Sequence, residues 1–281
     1  MNILTFDIEE WFHCDFISSS NLWNTYEVRI HNNVDLILDI LNIKKRKATF
    51  FIIGWIAERY PEVVKKIHLE GHEIGGHSMM HGLVHQMDRL TFRDDTKKNI
   101  EILEDITGHK VELYRAPGFS ITEDTPWAFE ELVDLGIKID ASVFPASHDY
   151  GGFKSFGEAQ PSLIKMKDKN IKEFPMNVKH VFGKSIVFSG GGYFRLFPYS
   201  VIKKWTNNSD YVMSYFHPRD FDFLQPVINE LSTMRKFKSY VGLKNAYRKF
   251  VIWLDANETV SIMQADKLVD WKKAKIISIN E

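Results

Sequence analysis

Two imidazoles and a run of carboxylates raise the first chemical question in this chain. His77 and His81 stand four residues apart in Gly-Gly-His-Ser-Met-Met-His, well downstream of an acidic strand end, Thr5-Phe6-Asp7-Ile8-Glu9-Glu10. Two histidines at that spacing, on one helical turn or a tight loop, can direct both rings at a single ion. A carboxylate from a distant strand completes a three-ligand set and leaves a position open, as a catalytic metal requires and a structural one does not. Asp7 and Glu9 lie two apart, so an extended strand points both at one pocket. The pair is weak taken alone, because the chain has eleven histidines and His72 and His85 lie close by. It gains meaning from the elements that hold it.

Those elements alternate. Asn2 to Phe6 reads as a short apolar strand, Asn33 to Leu41 as a helix through Val34, Ile37, Leu38 and Leu41, and Ala48 to Ile53 as a strand buried on both faces. Pro61 opens a helix that Gly71 stops, and Glu73-Ile74 begins a strand that delivers His77 and His81 just past its end. Helix over Thr91 to Ile106, strand at Leu113 to Arg115, helix over Thr125 to Leu135 and strand at Lys138 to Asp140 continue the pattern. Repeated parallel βα units predict an α/β fold, and polar residues gathered at strand ends match the catalytic face of a (β/α) barrel. The expected organisation is one domain over 1–281, with an irregular insertion or lid near 146–195 and a C-terminal helical extension near 224–281. Tyr211 to Phe216 supplies a late strand ending in His217-Pro-Arg-Asp.

Composition narrows the classes. A formal net charge of −1 argues against a general nucleic-acid binder. The single cysteine, Cys14, excludes an intrachain disulfide and a thiolate zinc site, and is expected to be a small buried hydrophobe. No basic and apolar leader precedes the first strand and no run of about eighteen apolar residues occurs, which predicts a cytoplasmic protein. Arg235 to Lys249 carries six cations and no acid, interleaved with Phe237, Tyr240 and Tyr247. A solvated helical face is the plain reading of that segment; an anionic-ligand or membrane-surface patch is the alternative.

Five ordered motifs from Thr5 to His217 resemble the polysaccharide deacetylase superfamily, the NodB-type carbohydrate esterases of family 4: Thr-Phe-Asp7-Ile-Glu9, His77-Ser-Met-Met-His81, Arg115-Ala-Pro117-Gly118, Asp140-Ala-Ser142 and Tyr215-Phe216-His217. Asp-Ile-Glu-Glu-Trp-Phe-His, Ser-Gly-Gly-Gly-Tyr-Phe-Arg and Phe-His-Pro-Arg-Asp are similar to a branch associated with exopolysaccharide and surface-glycan biosynthesis. The resemblance implies a distorted (β/α) barrel and a metal-dependent hydrolase that removes an N-acetyl group from an amino sugar. Zinc is the implied ion, with cobalt or nickel as substitutes, held by Glu9, His77 and His81. Asp7 would be the general base, Arg115 its ion-pair partner, His217 the general acid and Asp140 the group that fixes the His217 tautomer. The N–H after Pro117, that of Gly118, would donate to the oxyanion. The family's commoner motif has adjacent aspartates. Here Ile8 intervenes and the ligand is a glutamate, so Glu10 stays a rival to Glu9.

Tyr193 and Arg195, after the triple glycine, are candidate substrate contacts, while Trp11, Trp55 and Trp127 are expected in the core. The expected substrate is an N-acetylated sugar, a nucleotide sugar, a lipid-linked saccharide or a polysaccharide, with peripheral membrane contact through the basic segment. Two other readings remain open: hydrolysis of small cyclic amides or imides with the same metal, and a non-catalytic glycan-binding relative.

Overall fold

The computed structural model describes residues 1–13, 20–148, 151–181, 183–229 and 231–279, so Cys14 lies outside the described residues. The order of elements is β1 (Asn2–Ile3), β2 (Thr5–Ile8), α1 (Ile30–Ile43), β3 (Thr49–Ile52), α2 (Gly54–Arg59), α3 (Pro61–Leu69), β4 (Glu73–Gly76), α4 (Arg89–Thr107), β5 (Leu113–Tyr114), α5 (Trp127–Asp134) and β6 (Ile139–Asp140). After these come β7 (Ser162–Met166), β8 (Lys169–Glu173), β9 (Lys179–Val181), β10 (Lys184–Ile186), α6 (Gly191–Leu196), α7 (Tyr199–Asn207), β11 (Val212–Met213), α8 (Thr233–Tyr240), α9 (Leu243–Ala256), α10 (Ile262–Leu268) and β12 (Lys275–Ser278).

The main sheet runs β12-β7-β8-β6-β5-β4-β3-β2, parallel from β2 through β8, with β7 antiparallel to β8 and β12 parallel to β7. Beyond β2 the sheet continues through a parallel bridge from Phe6 to Phe216, and Gly190 bridges Tyr215 in turn. Side chains rather than a ladder close the remaining gap. Asn177, after β8, accepts from the Met213 N–H at 2.8 Å, and the Tyr211 hydroxyl donates to the Pro175 carbonyl at 2.7 Å. The result is the distorted (β/α) barrel that the resemblance implies.

Buried strands explain the apolar runs: all four residues of β2 and of β3 are buried, and Phe6 stacks on Phe50 with ring centroids 5.0 Å apart. Helix α4 starts on an Asp88 side-chain cap and stops at left-handed Gly108. Its buried face carries Phe92, Thr96, Asn99, Ile100 and Leu103. Asn99 ties that face to the site, donating to the Ile52 carbonyl at 3.0 Å and accepting from the His77 N–H at 3.1 Å.

Two expectations change. The stretch near 146–195 is not simply an irregular lid, because it contributes β7 and β8 to the main sheet and the β9–β10 hairpin beside it. Its triple glycine is a packing feature: a Cβ on Gly190 would collide with the Tyr215 carbonyl oxygen. The C-terminal helices are integral too. Phe250, Trp253 and Leu254 of α9 join the main core, and β12 pairs with β7. The basic run is two helices, broken at left-handed Gly242.

Candidate active site

The site forms where β2, β4, β5 and the β11 strand end. Period two along β2 turns Asp7 and the following Glu9 to one side, and both are buried. Glu10 turns the other way. Its carboxylate accepts from the Arg29 N–H at 2.6 Å and the Ile30 N–H at 2.7 Å, supplying the N-terminal cap that the Arg29 side chain cannot give α1. The adjacent acids therefore do different work, and Glu9 is the one facing the histidines.

Glu9 Oε1 lies 3.0 Å from both His77 Nε2 and His81 Nε2. The two histidines sit on a loop just past β4, not on a helix. Ser78 and His81 both adopt positive φ, 65° and 56°, which L-residues rarely do. The loop is pinned in that shape: Gly54 and Trp55 donate to the Ser78 and Met79 carbonyls, and Asp95 accepts from the Met79 N–H at 2.8 Å. Burial pushes Glu9 upward, but the charge of His81 and the close contacts of both imidazoles outweigh it and hold the carboxyl well below its ordinary range.

This donor set fits a divalent ion. His77 Nδ1 lies 2.6 Å from the Arg115 carbonyl, which can only accept, so Nδ1 carries the hydrogen. A neutral ring then offers a lone pair at Nε2 to a carboxylate that also offers lone pairs, and a cation between them resolves the conflict. The ligand atoms of Glu9, His77 and His81 lie within 4.8 Å of one another, as do those of a second set, Asp7, Glu9 and His217. Two nitrogens and a carboxylate oxygen suit zinc, cobalt or nickel better than magnesium or calcium.

Arg115, fully buried on the far side of Asp7, places Nη1 2.7 Å from Asp7 Oδ1 and 2.7 Å from Thr5 Oγ1. Its Nε donates to the Ala141 carbonyl at 3.2 Å, and its guanidinium lies 4.3 Å over the Phe51 ring. His217 faces Asp7 from the β11 side, Nε2 to Oδ2 3.9 Å. Asp140 does not reach that imidazole, contrary to the expected pairing. Its oxygens accept from the Ser142 hydroxyl at 2.6 Å and the Ser142 N–H at 3.0 Å, and the neighbouring strand position holds Glu173. The partner of His217 is Asp220, whose Oδ2 takes both the ring Nδ1 at 3.1 Å and the His217 N–H at 2.9 Å.

Burial pushes His217 down, but the Asp220 hydrogen bond and the Glu9, Asp220 and Asp7 charges push it up by more, so its pKa is raised. Asp220 is drawn down to about 2, burial being outweighed by His217 and by the Arg195 guanidinium. That guanidinium corrects another expectation. Arg195 is buried with Nε 3.0 Å from Asp220 Oδ1, and its other nitrogens donate to the Ser239, Val241 and Lys238 carbonyls. It supports Asp220 instead of offering itself to substrate. Tyr193 remains available at 37% exposure, stacked on Phe197. Pro117 is buried and Gly118, with φ of 59°, forms a tight turn beside Arg115. The sequence signal for Asp220 was present in His-Pro-Arg-Asp: proline in the first turn with an acid three residues after the cap is a capping-box pattern.

Comparison with known proteins leads to the polysaccharide deacetylases. Residues 4–138 match the polysaccharide deacetylase family model, and residues 141–267 match a domain of unknown function, DUF3473. Residues 4–138 therefore carry a polysaccharide deacetylase domain. A Bacillus cereus peptidoglycan-N-acetylglucosamine deacetylase is 38% identical over 96 residues, 34% of this chain and 35% of that protein. The Bacillus subtilis peptidoglycan-N-acetylmuramic acid deacetylase PdaC is 35% identical over 91 residues, 31% of this chain and 19% of that protein. The chain thus spans about a third or less of these curated relatives' lengths.

Among solved structures, a protein from Mycobacterium smegmatis assigned as a polysaccharide deacetylase superposes with TM-score 0.67 at 16% identity, covering 99% of this chain and 93% of that one. A family 4 pseudoenzyme from Bacillus anthracis superposes with TM-score 0.51 at 12% identity, covering 98% and 66%. At such identities the likeness is one of fold. Among the described residues no helix is long and apolar enough to cross a membrane.

Proposed function

We propose that this chain is a metal-dependent N-deacetylase acting on an N-acetylated amino sugar of a surface polysaccharide or its precursor. The observation that carries the proposal is the convergence of Glu9, His77 and His81 on one point, next to Asp7, with His217 facing Asp7 across 3.9 Å. A divalent ion held by those three residues would polarise the scissile carbonyl and lower the pKa of water at the site.

The chain's own groups supply the rest. Asp7 Oδ2, turned towards the site while Oδ1 is tied to Arg115, receives the proton from the attacking water as its oxygen bonds to the carbonyl carbon. Arg115 keeps that carboxylate oriented and balances its charge. As the C–N bond breaks, His217 Nε2 gives its proton to the amine nitrogen, leaving acetate and a free amino sugar. Asp220 keeps Nδ1–H directed and stabilises the imidazolium, the work first expected of Asp140. The Gly118 N–H, on its tight turn, donates to the oxyanion, and Tyr193 offers an exposed ring to the sugar.

The curated relatives act, by their names, on linear N-acetyl groups of peptidoglycan sugars, which favours this substrate class over cyclic amides and imides. The test is acetate release by the zinc-loaded protein from N-acetylated oligosaccharides, peptidoglycan fragments, nucleotide sugars and lipid-linked saccharides. Acetate and free amine in equal amounts from at least one of these is expected. Acetate from none, with turnover of cyclic imides instead, would contradict the proposal.

A further inference from the structure

We infer that the surface built by α8 and the loop before it docks this protein on an anionic lipid bilayer. The observation is a cluster of large apolar side chains held out in solvent by a rigid backbone. Phe223 is 54% exposed, Leu224 68%, Val227 56%, Met234 66% and Phe237 53%, while α8 itself has no buried residue. Clusters of exposed apolar side chains on a soluble surface mark places where something else binds.

The exposure does not come from a slack chain. The Tyr240 hydroxyl accepts from the Ile228 N–H at 2.8 Å and donates to the Pro226 carbonyl, tying the loop to α8 on either side of Val227. Gln225 donates to the Arg219 and Asp222 carbonyls, and Asp222 is held by Arg29 and Asn33, so the turn bearing Phe223 and Leu224 is fixed. At the C-terminal end of α8, Arg195 binds the Lys238, Ser239 and Val241 carbonyls. Met234 and Phe237, three apart, share one side of the helix.

Charge selects the occupant. From Leu231 to Leu254 the sequence has six cations and no acid, in a chain whose formal net charge is −1. Lys249 turns inward to the Phe194, Arg195 and Phe197 carbonyls, whereas Arg235 and Lys238 on α8 and Lys244 and Arg248 on α9 are exposed. Exposed apolar side chains on a segment that also carries exposed cations match the interface of a bilayer with acidic headgroups, where both parts bind at once. The same Arg195 that anchors α8 pairs with Asp220 behind His217, so the docking surface and the active site are joined by one side chain.

The test is co-sedimentation of the whole chain with vesicles of equal parts phosphatidylglycerol and phosphatidylcholine, beside vesicles of phosphatidylcholine alone. Binding to the anionic vesicles only, weakened by salt, is expected. The double variant Met234→Asp, Phe237→Asp should lower partitioning by roughly tenfold or more, with the thermal transition unchanged because both side chains are exposed. If that variant misfolds, Lys244→Gln with Arg248→Gln is expected to lower partitioning in the same direction. No sedimentation with anionic vesicles, equal sedimentation with both kinds, or folded variants that bind like wild type would overturn the inference. None of these outcomes depends on the deacetylase reading.

Discussion

Arg195 and Asp220 form a buried ion pair, 3.0 Å from Nε to Oδ1, and the second oxygen of Asp220 holds the ring of His217. A triple-glycine segment and a strand-end motif thus meet behind one imidazole. Asp220→Asn keeps the shape and removes the charge. A general acid must be protonated, so activity fades as pH rises through the His217 pKa, which lies above its ordinary value in the native protein. The variant should therefore lose activity at a lower pH than wild type, and kcat should fall by about tenfold to a hundredfold. A pH–rate profile checks this; an unmoved alkaline limb would remove Asp220 from the account.

Glu10 and Glu9 are separable by experiment. Glu10→Ala strands the part-buried Arg29 N–H and the buried Ile30 N–H, with an expected cost of about 1–3 kcal/mol in stability and no loss of metal. Glu9→Ala should lose metal. Denaturant melts beside metal analysis of both variants decide between the two acids.

Asp140 and Glu173 occupy paired positions on β6 and β8, both fully buried. Burial raises both carboxyls, and the Asp140 charge drives Glu173 well above its ordinary range, so Glu173 holds a proton between them. The native state then keeps a proton that the unfolded chain has released above the ordinary Glu value of 4.5. Stability from this pair is present at acid pH and is lost as pH rises through the window above that value. Glu173→Gln, neutral at every pH, should flatten the decline. Thermal melts from acidic to alkaline pH test it, and parallel curves for the two proteins would refute it.

Much of the site was legible because its residues lie at strand ends in a fixed order. Asp7, Glu9, His77, His81, Arg115 and His217 come together in space, and period two along β2 anticipated the shared face of Asp7 and Glu9. The helices α1, α3 and α4 were visible through periodicity, Pro61 and Gly71. The roles of Asp140 and Arg195 were not. Both make long-range or backbone-directed contacts, to Glu173 on one side and to the carbonyls ending α8 on the other, which no local pattern encodes. The strands β7 and β8 were hidden by mixed polar residues, since only alternate side chains along them are buried.

The central claim is that Glu9, His77 and His81 hold a catalytic ion and that Asp7 does chemistry beside it. Elemental analysis with acetate release, on wild type, His77→Ala and Asp7→Asn, tests it most directly. The account predicts about one zinc or related ion per chain in wild type and in Asp7→Asn, and little in His77→Ala. It predicts acetate from wild type, a rate about 10²–10⁴-fold lower from Asp7→Asn, and none from His77→Ala. Metal retained by folded His77→Ala, or full activity in Asp7→Asn, would contradict it.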